Sequence, residues 1–357
     1  MNSLSDKLSC GIHRYSHAFR QVRNLRKNAF WLLTSCFLAL VGCGGGGGTA
    51  TVLAPVETVT VPFTNGPMTS DSSGNIFIGG GFAATVLKVD KSGIVTIFAG
   101  QNGVRGVADG KGSAAQFTSP SFLATDVQGN VYVSDIFYNR TTVDPIPRAA
   151  VRKITPDGTV TTFAGSPTIG NASDMDSVDG VGTAARFVIP YGLAFDPAGN
   201  LFVADSGAST IRKITPSGVV TTFAGTAGVH GMADGVGAAA QFFALGQMVS
   251  DTAGNLYVTD SGVIQGSVNM AIRKITPAGV VTTLAAQLAH GSPSLAINPT
   301  TGTIYYTGGN GLYKVTPAGA VSLTAIPIAT RADLTFLVPN TLAILSDSVL
   351  RKVQVEP

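Results

Sequence analysis

From residue 57 onward the chain alternates short apolar runs with clusters of Gly, Asp, Asn and Pro. The stretch 191–225 (YGLAFDPAGNLFVADSGASTIRKITPSGVVTTFAG) shows the pattern best. Apolar runs at 192–195 and 201–204 flank Asp196-Pro197-Ala198-Gly199-Asn200. That is hairpin-turn chemistry: Pro fixes φ, Gly supplies a positive φ, and Asp or Asn bonds the nearby backbone. Runs at 210–215 and 219–223, rich in Val, Ile, Thr and Phe, flank a second turn at Pro216-Ser217-Gly218. The unit predicts four short antiparallel strands. Such a sheet cannot bury both faces by itself, so it depends on neighbouring copies.

Those copies are present. The Asp-x-x-Gly-Asn turn recurs at 71–75, 126–130, 196–200 and 251–255, with a degraded form, NPTTG, at 298–302. The third strand recurs around Lys88, Arg152-Lys153, Arg212-Lys213, Arg273-Lys274 and Lys314. A sixth copy is the most eroded: 335–347 aligns without gaps to 193–205, which sets Asp347 opposite Asp205, and Arg351-Lys352 follows in a third strand. No fourth strand follows it, but 57–63 (ETVTVPF) resembles one. The expected fold is all-β: a six-bladed β-propeller of four-stranded antiparallel blades over 56–357, with the N-terminal strand closing the last blade.

The run G-L-A-x-D-x-x-G-N-L-x-V-A-D, followed by I-R-K-I-T-P-x-G-V-V-T-T-x-A-G, resembles the NHL repeat, whose arrays form β-propellers. The likeness covers about residues 56–355. A loop motif at 109–117 (DGKGSAAQF) recurs at 179–187 and 234–242 and resembles the inter-blade segment of bacterial NHL-repeat lipoproteins. The repeat speaks to fold rather than chemistry, because propellers carry many unrelated functions.

Charge changes the picture at the N-terminus. The formal net charge is +3, yet residues 1–42 hold six of the 23 basic residues and one of the 20 acids. The remainder is slightly acidic, which gives no electrostatic case for nucleic acid. Residues 20–27 are basic, 29–41 are almost wholly apolar, and Leu40-Val41-Gly42-Cys43 follows. A basic region, a short apolar region and small residues before a cut predict a secretory signal, 1–42. The tetrapeptide resembles the bacterial lipobox, which implies a diacylated Cys43 and a Gly-rich tether, 43–55. By the same resemblance, Gly44 in place of Asp directs the protein to the outer membrane of a Gram-negative envelope. Cys10 and Cys36 leave with the signal, so no thiol remains for a disulfide or a thiolate metal site.

Strand alternation puts the Asp-x-x-Gly-Asn and Pro-x-Gly turns on one face of the propeller. The other face receives the long connections, 100–120, 136–150, 165–190, 225–245 and 261–271. Function concentrates on long loops held by a rigid scaffold, so this long-loop face is the expected binding face. Its candidate residues are Tyr138, Asn139, Arg140, Arg148, Asp174, Asp176, Asp179, Arg186, Tyr191, His230 and Gln247. Asp174, Asp176 and Asp179 offer carboxylate oxygens for Ca²⁺, but their spacing is one residue too wide and no Glu follows; a solvated acidic loop is the alternative. Asp71, Asp126, Asp196 and Asp251 read as turn caps. Asp135, Asp205, Asp260 and Asp347, at second-strand ends, read as structural partners of the periodic Arg-Lys pairs, and Asp109, Asp179 and Asp234 as backbone-turn residues.

Propeller enzymes offer a contrasting reading. Past residue 43 the chain has only His230 and His290, and only Glu57 and Glu356. The inner-strand starts Ser121, Phe122, Tyr191, Gln247 and Ser294 include no carboxylate. No catalytic or cofactor set is recognisable, and no metal site is expected beyond the Ca²⁺ alternative. The expected function is a non-catalytic, lipid-anchored propeller that binds an envelope protein or glycan through its long-loop face. A lyase or hydrolase on the same face is the alternative.

Overall fold

The computed structural model describes residues 57–62, 66–137, 148–166, 177–264, 267–288, 294–309, 311–328, 332–337 and 340–355. The signal segment, Cys43 and the tether lie outside the described residues, as do Tyr138, Asn139, Arg140, Asp174 and Asp176.

Six antiparallel sheets form six blades. Their inner strands are Met68–Ser70, Pro120–Thr125, Pro190–Phe195, Leu245–Ser250, Leu295–Ile297 and Asp333–Leu337. Each inner strand lies against the next, and the sixth lies against the first, so the ring closes. The closing sheet has mixed origin. Glu57–Thr60 pairs antiparallel with Val349–Gln354, in the register Glu57 to Lys352 and Thr60 to Val349. The N-terminal strand is thus the outer strand of blade 6, as the missing fourth strand of the last copy requires.

The turns work as their sequences predict. In blade 1 Asp71 Oδ1 accepts N–H bonds from Ser73 and Asn75, and Oδ2 accepts from Asn75 Nδ2. Asp126, Asp196 and Asp251 bond their own Asn in the same way. Gly74, Gly129, Gly199 and Gly254 all have φ near +80°, between 80° and 82°, where a Cβ is strained. In blade 5 Asn298 takes over as the acceptor, for Thr300 and Thr301.

The core lies between blades. Six apolar clusters of buried residues form, each drawing side chains from two adjacent blades. The reason is the period of two along each strand: one blade presents an apolar set to each side and cannot cover either. Burying each Val, Leu or Phe contributes roughly 1.5–3 kcal/mol, so most of the stability resides at the inter-blade seams.

The structure departs from the expected pattern in three places. Blades 2, 3 and 4 gain a fifth, two-residue strand at the outer edge: Gly110–Lys111, Gly180–Val181 and Gly235–Val236. These come from the repeated loop motif, which therefore runs along the sheet edge. The segment 261–271 is no free loop, because the second and third strands of blade 4 continue through it as Leu256–Ile264 and Ser267–Ile275. The third departure is Asp347. Phe195 pairs with Leu201 and Asp205 with Thr210 in blade 3, whereas Phe336 pairs with Leu342 and Ser346 with Val349 in blade 6. Ser346 therefore occupies the place of Asp205. Asp347, which is exposed, and Ser348 make a two-residue turn with φ of 51° and 65°. The sixth copy has lost the Asp-x-x-Gly-Asn anchor that fixes register, so a gapless alignment slips by one residue.

Candidate functional site

The ionic residues of the long-loop half are mostly consumed by a clasp built three times. Arg152, Arg212 and Arg273, in the third strands of blades 2, 3 and 4, are fully buried. Each guanidinium lies over a Phe of the loop motif, with 5.3 Å from Arg152 to Phe117 and 5.4 Å from Arg212 to Phe187 and Arg273 to Phe242. Each donates to a loop carbonyl, that of Gln116, Arg186 or Gln241. Each also reaches two carboxylates: one at the second-strand end (Asp135 3.4 Å, Asp205 3.7 Å, Asp260 2.9 Å) and one opening the loop motif (Asp109 2.7 Å, Asp179 2.6 Å, Asp234 2.9 Å). Arg212 also donates to Ser177 Oγ.

The carboxylates finish the clasp. Asp135 accepts the N–H groups of Thr118 and Ser119, Asp205 those of Val188 and Ile189, and Asp260 those of Phe243 and Ala244. Asp109, Asp179 and Asp234 bind the N–H and hydroxyl of Thr162, Thr222 and Thr283 on the outer strand. They are ion-pair partners, not merely turn residues. Asp179, a candidate for the binding face, is thereby committed to Arg212 and Thr222. Burial pushes the Asp135 carboxyl up to about 6, against its N–H bonds and the Arg152 charge. Asp205 and Asp260 are also raised, with burial as the largest cause. For Asp179 and Asp234 desolvation again opposes charge, but the Thr N–H bond and the Arg guanidinium outweigh it and lower both.

The inner strands of blades 2, 3 and 4 each begin with a bulge, after Pro120, Pro190 and Leu245. A bulge re-aims side chains where a strand meets a mouth. Here it brings Phe122 and Tyr191, both half-buried, to a ring-centroid separation of 5.1 Å with a tilt of 44°. Gly192 is required beside them, since a Cβ there would lie 2.5 Å from Gly246 O and from Met248 N. Gln247 is not free for a ligand: its amide donates to Leu295 O at 3.2 Å and accepts from Leu295 N at 3.1 Å.

His230 is exposed on the connection between blades 3 and 4. Its Nδ1 lies 2.7 Å from Ser209 Oγ, and its ring centroid 5.9 Å from that of Phe243. Ser209 is buried in a left-handed conformation (φ 56°) and donates its hydroxyl proton to Phe243 O. Ser209 Oγ thus sits between the His230 ring and the Phe243 carbonyl. The corresponding loop between blades 1 and 2 carries Arg105, whose guanidinium sits 5.0 Å over Phe82, a ring 71% exposed. Arg148 opens the third strand of blade 2, paired with Phe137.

The predicted residues thus separate. Tyr191 and His230 stay on the long-loop side with accessible chemistry, whereas Asp179 and Gln247 hold the scaffold. Arg105, Phe82, Ser209 and Phe243 were missed. Each lies where the copies differ from one another, which is the signal that could have found them.

Along the axis the inner strands of all six blades line a cavity of about 280 Å³. Its lining is Ser, Thr, Gln, Ala and larger apolar residues, without an ionisable group. Two further cavities open beside the short turns, of about 690 Å³ between blades 2 and 3 and about 420 Å³ between blades 3 and 4. Among the described residues no group of three or more His, Cys, Asp or Glu is placed to hold a metal ion.

No family model matches the sequence, and no curated protein matches it. Solved structures do. A gluconolactonase from Xanthomonas campestris shares 14% identity over 85% of this chain and 91% of its own, with a TM-score of 0.55. Virginiamycin B lyase from Staphylococcus aureus shares 12% over 84% and 99%, with a TM-score of 0.52. A streptogramin B lyase shares 12% over 84% and 97%, with a TM-score of 0.51. At these identities the likeness is one of fold: the chain is a six-bladed propeller similar in architecture to these lyases and lactonases.

Proposed function

We propose that this protein is an NHL-type, lipid-anchored propeller of the bacterial envelope that binds a protein or glycan through its long-loop face without catalysis. The observation that carries the reading is how side-chain chemistry divides on that face. The clasped Asp and Arg residues are already paired with one another. What faces outward is recognition chemistry: the Phe122–Tyr191 pair, the exposed Phe82 under Arg105, and His230 beside Phe243. Aromatic rings with adjacent donors suit sugar rings and protein hot spots alike. The lipobox-like Leu40-Val41-Gly42-Cys43 supports the anchor.

Two experiments test this. Cys43→Ser should move the protein from the membrane to the soluble fraction; unchanged membrane association removes the lipid anchor. Envelope material captured by the delipidated protein should be lost with the Phe122→Ala/Tyr191→Ala pair. Equal capture by that variant removes the long-loop assignment.

One observation favours a second reading, a lyase or hydrolase on the same face: Ser209 holds the exposed His230 ring through its Nδ1. In that case His230→Ala abolishes turnover of a bound ligand without abolishing its binding.

A further inference from the structure

Over blades 1 to 4 the short-turn face repeats with one break, at Phe195. The residue before each turn Asp is Ser70, Thr125, Phe195 and Ser250 in blades 1 to 4. The hydroxyls latch neighbouring inner strands. Ser70 Oγ donates to Phe336 O, Thr125 Oγ1 to Ser70 O and Ser250 Oγ to Phe195 O, each at 2.6 Å. Phe195 has no hydroxyl to give to Thr125 O. Its ring instead turns onto the edge of Tyr132, at 5.0 Å and 70°, and Tyr132 meets Phe163 at 5.1 Å and 78°.

The 690 Å³ groove lies at this missing latch. It runs from Thr125, Phe195 and Ser250 at the axis to Phe163 and Pro216 at the outer strands. Three turn carboxylates line it, Asp126, Asp196 and Asp251, against one ammonium, Lys153, which lies 5.5 Å over Tyr132. Among the described residues none of the three carboxylates has a cationic partner. Their turns hold them rigid, since each accepts bonds from its own Asn. The neighbouring groove between blades 3 and 4 has one carboxylate, Asp196, and one ammonium, Lys213. Excess negative charge therefore distinguishes the groove at Phe195 from this neighbour.

We propose that this groove binds a short, extended, proline-containing peptide that bears a basic side chain. The aromatic and prolyl walls suit the flat, preformed surface of a polyproline-type strand, which enters with little loss of conformational entropy. The uncompensated carboxylates select a guanidinium or ammonium over a neutral or acidic group. A neutral glycan would use the same rings but gains nothing from the net charge. This site lies on the opposite face from the proposed partner surface and stands independently of it.

Fluorescence anisotropy with the full chain and a labelled Pro-Pro-Arg-Pro-Pro peptide tests the assignment. The probe should bind, its Glu-for-Arg analogue at least about tenfold more weakly, and added salt should narrow the difference. Val127, 89% exposed on the groove rim, tolerates replacement; Val127→Arg should weaken the Arg peptide about tenfold at an unchanged melting temperature. Phe195→Ser should restore the latch and remove binding. Equal affinity for the two peptides, indifference to Val127→Arg, or the absence of peptide binding overturns the proposal. Binding of maltotriose without binding of either peptide overturns it in favour of a glycan groove.

Discussion

Blades 2, 3 and 4 are held differently from blades 5, 6 and 1. In the first group a buried Arg, two Asp and a loop Phe tie each inter-blade connection to the next sheet. In the second group the Arg position is Leu87, Tyr313 or Arg351, and the strand-end Asp is replaced by Gly80, Gly308 or Ser346. Leu87 is buried in the seam between blades 6 and 1, Tyr313 stacks on Tyr306 at 5.0 Å, and Arg351 donates to Pro327 O at 3.2 Å. The outer edges differ as well. Blades 2 to 4 carry an added two-residue strand, whereas blades 1 and 5 expose Ile97 (56%) and Leu323 (62%). Sequence regularity therefore marks the half that needs polar bookkeeping. A clasp works only if every member is present, whereas an apolar seam needs only bulk of about the right shape.

The largest test is Arg212→Ala. It leaves Asp205 buried without its cation and should cost about 3–5 kcal/mol in urea unfolding. Tyr313→Phe at the matching place in blade 5 should cost under about 0.5 kcal/mol. Equal effects would erase the distinction between the halves. Replacing Arg212 and Asp205 together by Met and Leu should recover only part of the loss, because the N–H groups of Val188 and Ile189 lose their acceptor.

The next effect is on pH. The Asp135 carboxyl is easier to protonate in the folded protein than in the unfolded one, since burial raises it to about 6. Its contribution to stability is full below the ordinary carboxylate range and is lost as pH rises through about 6. The melting temperature of Asp135→Asn relative to the unmodified chain should therefore increase between pH 4 and 7. Asp179 and Asp234 are lowered, so their contributions run the other way, present above the ordinary range and lost on acidification. An Asp135→Asn difference that is flat with pH would mean the carboxyl stays ionised throughout.

Smaller effects follow. Asp196→Ala removes the acceptor of Asn200 N–H and should cost about 1–2 kcal/mol by thermal unfolding. Asn298→Ala should cost less, because the blade 5 turn makes its bonds to Thr300 and Thr301 with a neutral amide. Leu323→Lys should change stability by less than about 0.5 kcal/mol while lowering aggregation on heating, measured by light scattering. No change in aggregation would mean that the bare edge of blade 5 is not where copies meet.

Much of this was legible in the chain. The turn at 196–200 announces itself because Asp, Gly and Asn each satisfy a local backbone demand. The closure by 57–60 was legible because a strand was missing at one end and spare at the other. The Arg–Asp pairing was half legible: the periodic Arg pointed to the strand-end Asp, but Asp179 pairs with Arg212 across 33 residues, and nothing local demands it. Asp347 was misread by one position because its copy has no anchoring turn. The candidate face was legible as a set of loops, though not which side chains it leaves free. Gln247 and Asp179 bond the scaffold, while the partners of Arg105, Phe82 and Ser209 show only in the folded chain.

By itself, then, the sequence determined the strands, the turns and the number of blades, because period-two alternation and turn chemistry act within a few residues. Only the tertiary structure decided which polar groups are spent and which remain. The loop motif reveals itself as a clasp only when Phe187 and Asp179 are folded against Arg212, and Phe195 opens a groove only when Thr125 of the preceding blade lies beside it. Those outcomes depend on contacts between adjacent blades, and a repeat read one copy at a time says nothing of its neighbour.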